Sequence, residues 1–116
     1  MVDNPTRLFD AVALAAAGQA NDDAASNTEV VANCLAVTAS MKVTGSAEVS
    51  ICFYSRLSAT AAFDDTPFKS FTATAAMGQF TRDVLVGRGR HSIKCIATNL
   101  DAVNAGTVTV DVLTLR

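Results

Sequence analysis

Histidine is the commonest general acid–base side chain, and this sequence carries one, His91. A hydrolytic triad needs a nucleophile beside such a base and a third group to orient it, and no GxSxG-type elbow occurs in the chain. His91 therefore reads as a solvated loop residue. Paired carboxylates occur at Asp22-Asp23 and Asp64-Asp65. Neighbours on an extended chain point to opposite faces, and neither pair has the spaced D-x-D-x-D-G pattern of a calcium loop. They read as solvated turn residues, with calcium held by Asp64, Asp65 and nearby carbonyls as the competing reading. Cys34, Cys52 and Cys95 cannot all pair within one chain, form no CxxC and lack a histidine cluster, so zinc is a poor fit. They read as small apolar side chains in a reducing compartment.

The remaining cluster is basic. Arg88, Arg90, His91 and Lys94 gather around the turn Gly87-Arg88-Gly89-Arg90, where arginine forks suit a carboxylate or a phosphate. A solubilising turn tip is the equally weighted alternative. Gly87 and Gly89 are not followed by GK[ST] or a helical pattern, so this is no phosphate-cradling glycine loop. Tryptophan is absent and Tyr54 is the one tyrosine, which counts against a stacking platform for sugar rings. The reading assigns no catalytic residue, no metal ligand and no cofactor. Its candidate interaction surface is Arg7, Leu8 and Phe9 together with Arg88, Arg90, His91 and Lys94.

The elements that must position these residues are strands. In residues 35–44, Leu35, Val37, Ala39, Met41 and Val43 alternate with Ala36, Thr38, Ser40, Lys42 and Thr44, the period of two of a half-buried strand. Gly45-Ser46 interrupts, and Val49, Ile51, Phe53 and Leu57 then alternate with Glu48, Ser50, Tyr54 and Arg56. Two such runs across a short glycine link predict an antiparallel hairpin. Residues 58–69 contain Asp64-Asp65-Thr66-Pro67 and read as a loop or edge. Further strands are expected over 70–76, 80–86, 91–99 and 107–115. Ile93, Cys95 and Ala97 face one way in the third of these, and Val108, Val110 and Val112 in the last. Leu113 and Leu115 fall on the opposite face, which suggests a bulge or a contact at the C-terminus.

Residues 1–20 are ambiguous. Alanine favours helix by propensity, yet the rest of the chain is β, so a first strand or extended arm is preferred over a helix. The stretch contains an A-L-A-A-A run, but Asp3 and Asp10 bracket Arg7 where a secretion signal would carry uninterrupted positive charge. The expectation is one antiparallel β-sandwich, jelly-roll-like, over residues 21–116, with an extended or partly helical N-terminal segment as the docking arm. The chain has 116 residues, enough for one core. Its formal net charge of −2 argues against general attraction to nucleic acid. No apolar run approaches the roughly 20 residues that span a bilayer as helix.

From Leu8 onwards the chain resembles small tailed-phage virion proteins of β-sandwich or jelly-roll type. The resemblance is carried by LAVTASMKVTGSAEVSICFYSRLS, by the Phe63-Asp64-Asp65 loop, and by HSIKCIATNLDAVNAGTVTVDVLTLR. It is a likeness of pattern and composition. It implies a non-enzymatic capsid decoration or cement protein, assembled onto virions in the host cytoplasm. The expected partners are the major capsid protein or another virion protein and further copies of the chain. A tail, neck or fibre component is the runner-up, and a carbohydrate- or calcium-binding sandwich module is the reading from a different class.

Overall fold

The computed structural model describes residues 5–16, 19–21, 28–32, 34–45, 48–86 and 89–115. Nine strands follow one another among them: β1 (Thr6–Leu14), β2 (Gln19–Asn21), β3 (Thr28–Val30), β4 (Ala36–Thr44), β5 (Val49–Arg56), β6 (Lys69–Ala73), β7 (Phe80–Val86), β8 (Ser92–Asn99) and β9 (Gly106–Leu115). One sheet has the order β1-β9-β4-β7; the other runs β2-β8-β5-β6, with β3 also paired to β8. All pairings are antiparallel. The two short strands β2 and β3 pair with successive stretches of β8, Ile96 to Thr98 and Ser92 to Lys94, so they behave as one interrupted strand. The protein is an antiparallel β-sandwich, as its alternation implies. Its strand order is compatible with a jelly roll.

The alternation sorts side chains as expected in most strands. Val37, Ala39, Met41 and Val43 of β4, Val49, Ile51 and Phe53 of β5, Ile93, Cys95 and Ala97 of β8, and Val108, Val110 and Val112 of β9 are all enclosed. Two pairs of consecutive apolar residues break the rule and are both buried, Leu8-Phe9 and Val84-Leu85. Each sits at a register shift: between Arg7 and Phe9 in β1, and opposite Val37/Thr38 in β7. An extra residue in one strand lets two neighbours turn inward. A second shift in β1, between Phe9 and Val12, contains Ala11 at φ 47°, and Thr109 Oγ1 accepts a hydrogen bond from its N–H.

Four expectations need correction. The predicted β4–β5 hairpin does not form, because the two strands lie in opposite sheets and face each other across the core. Gly45 makes that corner possible: its φ is +79°, and an added Cβ would lie 2.8 Å from the Ala105 carbonyl oxygen. Period-two alternation with a glycine link fits a hairpin and a sheet-to-sheet corner equally well. Leu35 and Leu57, expected on inward faces, are 44% and 80% exposed, and the inward position at the end of β5 belongs to Ser55 instead. The β4–β9 register is unbroken, so the C-terminal bulge is absent and Leu113 and Leu115 are ordinary outward residues of β9. The predicted strand over 70–76 stops at Ala73, and Ala75–Met77 forms a 3₁₀ turn.

The N-terminal segment is neither helical nor detached where it is described. β1 is a strand paired to β9, and Leu8, Phe9 and Leu14 belong to the core. That excludes Leu8 and Phe9 from an interaction surface, since their side chains are 5% and 2% exposed.

Candidate functional site

At one end of the β5–β8 sheet the chain builds a cleft of about 400 Å³, lined by Ser55, Arg56, Leu57, Asp64, Gly89 and Arg90. Two segments meet there. One is the loop from β5 to β6, the true hairpin of that sheet. The other is the end of the β7–β8 connection. The loop is tied down at several points: Asp64 N–H donates to the Ser55 carbonyl at 3.0 Å, and Phe68 N–H to the Phe53 carbonyl at 2.9 Å. Opposite it, His91 N–H donates to the Arg56 carbonyl at 2.9 Å. These bonds put Arg56, Asp64 and Arg90 around one opening although they lie far apart in sequence.

Aromatic rings hold the cations. The Arg56 guanidinium lies over Phe63, 4.6 Å from the ring centroid, and the Lys94 ammonium lies over the same ring at 5.0 Å. Arg56 and Lys94 are diagonal neighbours on the outer face, since Tyr54 pairs with Lys94 and Arg56 with Ser92. Phe63 therefore laps the loop onto that face. The Arg90 guanidinium lies over Phe68 at 4.7 Å, and its Nε donates to Ser55 Oγ at 3.1 Å. Ser55 Oγ in turn donates to Asp64 Oδ2 at 3.4 Å. Contacts of this type are each worth about 0.5–2 kcal/mol, depending on desolvation.

Electrostatically the cleft is unbalanced. Neither Arg56 nor Arg90 forms an ion pair among the described residues. Arg56 Nε is enclosed and has no hydrogen-bond acceptor there. A buried unmet donor costs about 1–3 kcal/mol, more on a charged group. Asp64, the carboxylate in the lining, is engaged by Ser55 rather than by either guanidinium.

The basic residues expected from sequence meet different fates. Arg90 lines the cleft and Lys94 flanks it through Phe63. His91 turns aside: its Nδ1 shares a 2.6 Å hydrogen bond with Ser92 Oγ. Ser92 is wholly buried, so this serine–histidine pair offers no exposed nucleophile. Arg88 lies outside the described residues, as do Asp22 and Asp23. Arg7 is exposed on the opposite sheet, bound bidentately to Asp111 at 2.8 and 3.2 Å and to Asp10 at 3.2 Å. The hydrogen bond and charge of Asp111 raise its pKa further above the usual arginine value. Asp65 is exposed. Cys34 and Cys95 are buried, Cys52 is half-buried, and all three are free thiols.

Sequence reasoning missed Ser55, Arg56, Phe63 and Phe68 as site residues. The available signal was the pair Phe63 and Phe68, apolar rings in an otherwise polar loop, which must find partners when the loop folds back.

No family model matches the chain, and no curated protein matches it in sequence. Solved structures resemble it in fold. One is a mitogen from Yersinia pseudotuberculosis, 8% identical, covering 99% of this chain and 88% of that one, with a TM-score of 0.53. A second is PliG of Aeromonas hydrophila, a periplasmic inhibitor of g-type lysozyme, 10% identical, covering 97% and 87%, TM-score 0.54. A third is an endo-1,4-β-D-xylanase 10B of Clostridium thermocellum, its CBM22-1 and GH10 modules complexed with xylohexaose. It is 9% identical and matches 95% of this chain but 28% of that one, TM-score 0.52. At such identities the likeness is one of architecture, and what the chain belongs to is the β-sandwich fold.

Proposed function

We propose that the chain is a non-catalytic structural protein of a virus particle, a capsid decoration or cement subunit that docks on the shell and on its own copies. The observation that supports this is an exposed apolar patch. Leu113 and Leu115 stand outward from β9, 40% and 54% exposed, and Leu35, 44% exposed, lies at the same end. Leu35 N–H donates to the Leu115 carbonyl at 2.6 Å, and Leu115 pairs with Ala36 and Leu113 with Thr38. Adjoining large apolar side chains on a sheet face that no described residue covers mark a surface suited to a partner. Beside them Pro5, Thr38, Ser40, Gln79 and Thr81 line a shallow trough of about 300 Å³. Small side chains of this kind let a flat partner approach the strands. Weak contacts made by many copies at once then add through multivalency.

The test is co-production with the structural proteins encoded beside its reading frame, followed by sedimentation of assembled particles. Wild-type chain is expected in the particle fraction. Leu113→Arg is expected to keep its β circular dichroism and stay in the supernatant. A wild-type chain that never enters particles overturns the proposal. Sedimentation with tails rather than heads moves the chain to the tail, neck or fibre alternative. The ligand-binding reading keeps one supporting observation, the cation-lined cleft.

A further inference from the structure

We propose that the cleft at the end of β5 is a binding site for a carboxylate. The inference goes beyond the virion reading and does not depend on it. Arg56 and Arg90 both line the opening, and neither guanidinium is ion-paired among the described residues. Two cations share a partly enclosed space with one carboxylate, Asp64, which is engaged by Ser55 rather than by either guanidinium, and the uncompensated positive charge is costly unless a ligand balances it. Each is also held in place beforehand, Arg56 over Phe63 and Arg90 over Phe68 with its Nε fixed by Ser55. Side chains ordered in advance lose little entropy when a ligand arrives. The planar guanidinium edge is the donor geometry that suits a carboxylate.

The charge of the lining selects among anions. Arg56 and Arg90 contribute two positive charges and Asp64 one negative, leaving one positive charge to be balanced. A single carboxylate balances it. A phosphate dianion brings one charge too many and meets Asp64. A volume of about 400 Å³ admits more than the carboxylate itself. Leu57, 80% exposed in the lining, offers the rest of the ligand an apolar contact. A carboxylate can come from an acidic side chain of a docked protein or from a free acid such as a uronic sugar.

The experiment is titration of the ¹⁵N-labelled full chain, followed by amide shifts, with four probes: an N-acetylated, C-amidated diglutamate peptide, glucuronate, the diglutamine peptide blocked in the same way and inorganic phosphate. Saturable shifts at Asp64, Gly89 and Arg90 are expected with at least one carboxylate probe, and the tighter of the two assigns the source. Arg56→Gln and Arg90→Gln are each expected to weaken that binding at least tenfold, about 1.4 kcal/mol. Leu57→Asp changes an exposed rim residue without disturbing the core, and its added negative charge is expected to abolish binding. The proposal is overturned if neither carboxylate saturates, if the diglutamine peptide binds equally well, if phosphate binds more tightly than both, or if Leu57→Asp leaves affinity unchanged.

Discussion

Replacing Phe9 with alanine asks whether the N-terminal strand is part of the core or an appendage. The ring is 2% exposed, and Phe9 is among the largest fully buried residues. Its register partner is Val110, and the neighbouring shift turns Leu8 inward beside it. Truncating a buried phenylalanine costs about 3–5 kcal/mol, and an edge strand such as β1 can relax towards the void, which favours about 3 kcal/mol here. At about 0.1 kcal/mol per residue a domain of this length is stable by about 10 kcal/mol, so the variant folds but loses about a third of its margin. With a urea slope of about 1.5 kcal/mol/M, the unfolding midpoint falls by about 2 M. The assay is urea denaturation followed by circular dichroism, with Arg7→Gln as the control on the outer side of the same strand. That control removes an exposed, solvent-screened pair and is expected to shift the midpoint only slightly. A Phe9→Ala midpoint equal to that of the wild type would refute the packing of β1 described here.

Gly45→Ala is expected to destabilise the fold by about 2 kcal/mol or more in the same assay, because alanine disfavours φ +79° and its Cβ meets the Ala105 carbonyl. A change under a few tenths would contradict the corner geometry. Asn99→Ala removes a buried amide that donates to the Ala15 and Asn104 carbonyls at 3.2 and 2.9 Å and accepts from Asp101 N–H. Stranding such partners costs about 2–3 kcal/mol, and a thermal melt unchanged from wild type would dismiss the network. With a thiol reagent under native conditions, Cys52 is expected to react first, while Cys34 and Cys95, both 0% exposed, wait for unfolding. Rapid modification of all three would contradict the burial pattern.

What could be read in advance follows from the range of each interaction. Alternation in β4, β5, β8 and β9 is local, and it identified most of their inward residues, failing at the strand ends, where Leu35 and Leu57 are exposed and Ser55 and Ser92 are buried. Partnership between strands is not local. The Gly45-Ser46 link looked like a hairpin turn because both strands point apolar residues at the same core, and only long-range pairing separates a turn within a sheet from a corner between sheets. Leu8-Phe9 defied alternation because a bulge is a property of two strands together, invisible in either alone. The cleft was half legible. Arg90 and Lys94 stood out as charges in a glycine-marked segment, whereas Arg56 looked like one more polar position on an alternating strand. Its role depends on Phe63 folding back across the sheet, a contact that residue spacing does not encode. Residues placed near one another by sequence also parted, as His91 turned to Ser92 while Arg90 reached for Ser55.

The docking claim is tested most directly by electron cryomicroscopy of shells assembled with and without the chain. Added density of one sandwich per copy, regularly placed, with the β1-β9-β4-β7 sheet and its Leu113–Leu115 end against the shell, is the expected outcome. Identical maps with and without the chain, or density in which that sheet faces solvent, would contradict it.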